Sequence, residues 1–139
     1  MSSASGRACM DGETMNPINP STVAAPGGHY SHASIAGGLV FVSGQLPITA
    51  AGEKLTAASF EDQARQALAN VRAILEAAGS GIEQLVQVRV YVDSVENWPA
   101  FNAVYAQWAG SARPARAVVP TGPLHYGLKV EVEAVARLA

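Results

Sequence analysis

The sequence predicts an α+β domain in which two helices cover one face of a mixed sheet. Three observations carry this prediction. Apolar residues alternate strictly in short runs, as at Val86, Val88, Val90 and Val92. Two longer segments repeat apolar residues at helical spacing and end at a glycine. The elements follow one another as β-β-α-β-α-β-β, with no internal repeat and no low-complexity tract.

Each element has its own signal. "SHASIAGGLVFVSGQLPI" reads as two strands around Gly37-Gly38, because glycine supplies the positive φ of a tight hairpin turn. "AAGEKLTAA" is a loop. Ser59, followed three residues later by Asp62, is a helix N-cap pattern. From there Phe60, Ala64, Leu68, Val71, Leu75 and Ala78 form one apolar stripe, and Gly79 ends the helix. "EQLVQVRVYVDS" is a strand. Pro99 suits the first turn of a second helix, with Phe101, Val104, Tyr105 and Trp108 as its apolar stripe and Gly110 as its end. "RAVVP" and "LKVEVEAVA" close the domain as strands. In the last strand Val130, Val132 and Ala134 face one way, and Lys129, Glu131 and Glu133 face the other. The helices are expected on the valine side. Arg116 and the two glutamates are then expected on the face that the helices leave bare.

Composition narrows the class. The 139 residues are 49% hydrophobic and only 14% charged, against about 25% charged in typical soluble domains. Such sparing use of charge implies that apolar surface is buried against further copies of the chain. A net charge of −2, with nine scattered Lys and Arg residues, argues against nucleic acid as a partner. No apolar run reaches 18 residues, so no membrane partner is expected. The single cysteine, Cys9, can make no intrachain disulfide and suits a reducing, cytoplasmic setting. Residues 1–15 read as a disordered leader or an upstream start, with Met10 and Met15 as candidate first residues. Residues 16–139 read as a single domain.

The common chemical signatures are missing. His29 and His32 are three apart in a strand-like stretch and His125 is remote, so no metal is expected. "GGLVFVSGQ" opens a strand rather than a helix, so it is no dinucleotide fingerprint. "FVSGQ" lacks the flanking glycines of a nucleophile elbow. No cofactor is expected.

"GGLVFVSGQLPI", "QALANVRAILEAAGSGIEQLVQVRVYV", "FNAVYAQW", "PARAVV" and "KVEVEAVA" occur in an order and at distances similar to those of one family. Over roughly residues 20–137 the chain resembles the RidA/YjgF family of imine deaminases. The resemblance implies a chorismate-mutase-like fold assembled as a homotrimer, with active sites between subunits. It implies hydrolysis of 2-imino and enamine acids, such as 2-iminobutanoate, to 2-oxo acids and ammonia, without a cofactor. Arg116 matches the family's carboxylate-binding arginine, and its guanidinium fork suits that task. A structural salt bridge with Glu131 or a neighbouring residue is the plainer reading of Arg116. Glu131 matches the glutamate that orients or activates water. Tyr30 matches the tyrosine that lines the pocket. Ser43 and the Gly44 N–H match groups that hydrogen-bond substrate or water. Asn102 matches a further pocket residue, although a plain helix-surface role fits equally.

Glu133 reads as an ion-pair partner. Val118 stands where many relatives carry cysteine, and only its backbone is expected to matter. "PTGPLHYGL" departs from the common deaminases and puts His125 and Tyr126 in the turn before the last strand. They are either turn packing or a reshaped rim for a larger imine. The alternatives to a small-imine deaminase are a relative acting on a larger, aminomuconate-like enamine or biosynthetic intermediate, and a non-catalytic trimeric binding protein.

Overall fold

A computed structural model describes residues 16–139. The expectation of a leader at 1–15, with Cys9 inside it, lies outside the described residues. The chain forms β1 (Asn16–Ile18), β2 (Ala33–Ala36), β3 (Leu39–Gln45), α1 (Phe60–Ala77), β4 (Leu85–Val92), α2 (Trp98–Ala109), β5 (Ala115–Pro120) and β6 (Val130–Arg137). The six strands make one sheet in the order β1-β2-β3-β6-β4-β5. Only β4 and β5 run parallel, with α2 as their crossover. The rest of the sheet is antiparallel.

The fold class is the expected one. Gly37 and Gly38 take φ of 59° and 77° and close the β2–β3 hairpin. The Asp62 N–H donates to Ser59 Oγ at 3.1 Å, so the cap of α1 stands as read. All six residues of the α1 stripe are buried, and so are Val130, Val132, Ala134 and Ala136 of β6. These side chains meet Val40, Val42, Val88, Val90 and Phe101 in one core between the helices and the sheet.

Two details differ from expectation. β1 is an additional strand, paired with β2, that three residues including Pro17 had not announced. Val86 does not join the buried valines of β4. The pairing with β6 slips by one residue between Leu85 and Gln87, so Val86 is bulged out and 45% exposed.

Two buried amides on α1 fix the segments that border the bare face. Gln63 Nε2 donates to the Ala58 carbonyl at 3.3 Å, and its Oε1 accepts the Lys129 N–H at 2.9 Å, just before β6. Asn70 Nδ2 donates to the Leu46 and Ile48 carbonyls at 3.2 and 3.0 Å, and its Oδ1 accepts from Gln66. Each side chain is satisfied at both ends, which offsets the cost of burying an amide. Asn70→Ala leaves two carbonyls of the 46–48 segment without these partners. Chemical denaturation should show a loss of about 1–3 kcal/mol, with helix content unchanged.

Candidate active site

The sheet pairing that builds β3 also breaks it at one place. Val42 pairs with Ala134 and Gln45 with Val132, so Ser43 and Gly44 together oppose Glu133 in a bulge. Ser43 is fixed there twice. Its N–H donates to the His32 carbonyl at 2.8 Å and its hydroxyl donates to the Ser31 carbonyl at 2.7 Å. The Ser43 hydroxyl proton is therefore engaged, and its oxygen is left to accept a bond. Gly44 lies against the Glu131 side chain. A Cβ on Gly44 would overlap the Glu131 carboxylate and stand 3.0 Å from its Cδ. Glycine at 44 is thus the condition for the Glu131 carboxylate to lie flat along the strand.

Glu131 and Glu133 stand two residues apart on the bare face of β6 in different chemical states. Arg89 Nη1 reaches Glu133 Oε2 at 3.1 Å, and the Tyr91 hydroxyl donates to Glu133 Oε1 at 2.9 Å. Glu133 is therefore the ion-pair member expected, and its bond to Tyr91 holds the phenol's pKa above the ordinary value. Among the described residues no hydrogen bond or ion pair reaches the Glu131 carboxylate. Burial pushes the Glu131 pKa up, the nearby His125 pulls it down, and the Glu133 charge pushes it up further. A half-buried, unpartnered carboxylate of raised pKa is suited to taking a proton from water.

An open cleft of about 620 Å³ lies beside Glu131, and Tyr30, Ser43, Gly44, His125 and Tyr126 line it as well. Tyr30 stands at its mouth, half exposed, with its hydroxyl accepting the Gly27 N–H at 3.3 Å. His32, expected on a strand face, is instead buried, with Nε2 2.6 Å from the Ala24 carbonyl. The His125–Gly127 turn forms the opposite lip. Tyr126 has φ 63° and ψ 13°, the left-handed region, which costs a side-chain-bearing residue about 1–2 kcal/mol. The Lys54 ammonium sits 4.7 Å from the centroid of the Tyr126 ring.

Arg116 requires a correction. It pairs with Val88 across β4–β5, and Val88 points into the helix-covered core. Arg116 therefore faces the helix side of the sheet, not the bare face of Glu131. The level of Ala134 on β6 is two strands away, about 10 Å at the usual strand spacing. Among the described residues no carboxylate pairs with Arg116, so the salt bridge to Glu131 is absent from the chain. The guanidinium is held by α2. Nη1 donates to Asn102 Oδ1 at 3.1 Å, and the group lies 4.8 Å from the centroid of the Tyr105 ring. Burial raises the Tyr105 pKa and the Arg116 charge lowers it in part.

This second cleft, of about 340 Å³, is lined by Asn102, Tyr105, Arg113 and Arg116 among others. Val118 follows Arg116 on the same side of β5, opposite Val90, and packs against the core. Tyr105, read from its spacing as part of the apolar stripe of α2, is buried as expected and lines this cleft as well. Its spacing of three from Asn102 on α2 was the available signal. Among the described residues no three His, Cys, Asp or Glu side chains converge as metal ligands.

The sequence-derived site residues thus fall into two groups. Tyr30, Ser43, Gly44 and Glu131 share one cleft, and Asn102 and Arg116 share another. The fold that carries both is that of a RidA-like domain. The crystal structure of RidA from the Antarctic bacterium Psychrobacter sp. aligns with a TM-score of 0.84 at 31% identity, covering 88% of this chain and 99% of that one. The family model described as Endoribonuclease L-PSP matches residues 21–138, and the chain belongs to that family. Protein HMF1 of Saccharomyces cerevisiae is 34% identical over 123 residues, 88% of this chain and 95% of that protein. A Capra hircus protein named 2-iminobutanoate/2-iminopropanoate deaminase is 36% identical over 118 residues, 84% of this chain and 86% of that one.

Two outcomes are expected at Glu131. Gly44→Ala should fold, because the overlapping atom is the far end of a flexible side chain. It should still displace the carboxylate, visible as a shifted Glu131 side chain in a crystal structure of the variant, with Tm nearly unchanged. The second concerns pH. The raised pKa means that folding favours protonated Glu131, so its charge costs stability once pH rises through the folded pKa. Glu131→Gln should therefore raise Tm at pH 8. That gain should vanish at pH values below about 4, where unfolded glutamate is itself protonated. Thermal melts of both chains across this range check the sign.

Proposed function

We propose that the protein hydrolyses reactive 2-imino and enamine acids to 2-oxo acids and ammonia, in a site completed between copies of the chain in a homotrimer. The supporting observation is the placement of Arg116 and Glu131 on opposite faces of one sheet. Both are free of ionic partners among the described residues, and a small substrate reaches both only if two chains contribute one each. The family membership and the name of the goat relative support imine deamination as the reaction class. The bare face supports assembly. Rows such as Glu131–Tyr91–Val119 and Phe41–Val135 leave Phe41 42% and Val119 40% exposed.

The chemistry follows from the side chains. Arg116, held by Asn102 and stacked on Tyr105, grips the substrate carboxylate with its fork and fixes the plane of the C=N bond. Water beside Glu131 loses a proton to the carboxylate as its oxygen bonds to the imine carbon. The substrate enters as its iminium ion, so the C=N π electrons move to nitrogen and leave a neutral amino group. The resulting carbinolamine expels ammonia as the Glu131 proton passes to the departing nitrogen and the hydroxyl proton is released, leaving the C=O of the 2-oxo acid. Ser43 Oγ, the Gly44 N–H and the Tyr30 hydroxyl are the polar groups placed to hold water or the tetrahedral intermediate. Metal and cofactor enter at no step of this reading. A single cysteine in the sequence supports a reducing compartment such as the cytosol.

Arg116→Lys keeps the charge and loses the fork. Its kcat/KM for 2-iminobutanoate should fall about tenfold to a hundredfold, the equivalent of one charged hydrogen bond. Glu131→Gln should cost about 10²–10⁴-fold. The shared site has a sharper test. Arg116→Ala and Glu131→Gln chains, each inactive, are unfolded and refolded together at equal amounts. About a quarter of the subunit junctions then unite an intact Arg116 with an intact Glu131, and a matching share of activity should return. No recovery, or a monomer mass in sedimentation equilibrium at micromolar concentration, would overturn the shared site.

A further inference from the structure

The turn before β6 carries features that imine hydrolysis leaves unused. Tyr126 is the one non-glycine residue with positive φ among the described residues. Its side chain returns nothing to the core, since Tyr126 is 56% exposed. Glycine would hold the same backbone without strain, as the next residue, Gly127, does at φ 73°. A backbone outlier that packing does not demand points to a use for the side chain.

The turn places that side chain between two adjoining clefts, that of Glu131 and one it shares with His32 and Lys54. Both His125 and Tyr126 line the cleft of Glu131, their ring centroids 6.0 Å apart and their planes 48° from parallel. Tyr30 adds a third ring to the same cleft. The lip is firmly tied to the carboxylate. The Leu128 N–H donates to the His125 carbonyl at 3.1 Å and the Lys129 N–H to Gln63 Oε1 at 2.9 Å, two residues before Glu131. Lys54 covers Tyr126 and holds the ring at the mouth.

We propose that His125 and Tyr126 are specificity-determining residues that select 2-imino acids with an aromatic side chain over small aliphatic ones. This rests on the hydrolytic reading for its reaction and adds the substrate class. Arg116 fixes the carboxylate and Glu131 the imine carbon, so the side chain is the part left to meet the lip. Aromatic rings prefer offset or tilted partners at about 4.5–7 Å between centroids, and His125 and Tyr126 present two candidate ring partners in the cleft. A methyl or ethyl group leaves the rings in water and gains nothing from them.

The test compares the wild-type assembly with Tyr126→Gly and Tyr126→Phe. Imines are generated in place by an amino-acid oxidase from phenylalanine and from 2-aminobutyrate, and kcat/KM is measured for each. Binding of phenylpyruvate and 2-oxobutanoate is measured by calorimetry on the same samples. The wild type should prefer the aromatic member of each pair. Tyr126→Gly should lower that preference about tenfold, equivalent to about 1.4 kcal/mol, with Tm no lower, and Tyr126→Phe should retain it. A wild type without aromatic preference overturns the proposal. So does a Tyr126→Gly chain whose two rates fall equally, as a purely structural or subunit-contact role would give. If no imine is hydrolysed at all, the hydrolytic reading fails and calorimetry alone judges the lip. Loss of a phenylpyruvate preference in Tyr126→Gly then upholds the selectivity, and an unchanged ratio overturns it.

Discussion

The alternation along β6 keeps two incompatible surfaces one residue apart. Val130, Val132, Ala134 and Ala136 enter a core with almost no exposure, while Glu131 and Glu133 leave it on the opposite side. β6 lies between β3 and β4, so both neighbours must agree on its register. A slip by one residue would place two carboxylates in the core and two valines in the cleft. The cost of burying unpaired carboxylates makes that slip prohibitive. The apolar pattern that stabilises the fold is therefore also what aims Glu131.

Polar groups on the helix side refine what the register begins. Gln63 and Asn70 project from the buried stripe of α1 and bond to backbone of other segments, Asn70 also accepting from the Gln66 side chain. They reach the chain at 129 and at 46–48, on either side of the Glu131 cleft. Asn102 and Tyr105 perform the like task from α2, presenting the Arg116 guanidinium at the sheet edge. One layer of helices thus positions both clefts, although only one of them opens on its own side of the sheet.

Much of this was legible in the sequence because the signals were local. The Ser59 cap, the Gly37-Gly38 turn and the two helical stripes each depend on residues a few positions apart. What stayed hidden depends on pairing between distant segments. The alternation of β5 says that Arg116 and Val118 share a face, but which face follows only from the register of Val88 against Arg116. The exposure of Val86 follows from a slip against β6 that no property of β4 announces. The Ser43-Gly44 bulge is of the same kind, and so the need for glycine beside Glu131 was not visible. The sequence reading gathered the candidate residues into one site with Arg116 on the glutamate face, and their division between two clefts on opposite faces was not visible in it.

The central place of β6 also orders events in time. Residues 130–137 are the domain's last strand in chain order, yet β3 and β4 join within the sheet only through them. Until residue 137 has left the ribosome, the nascent chain consists of a hairpin side and a β-α-β side, each with an unsealed strand edge. Those edges are open to neighbouring nascent chains, which makes the interval before closure the hazardous stage of biogenesis. Closure of the sheet therefore waits for β6, a late zipping of two halves by their shared middle strand.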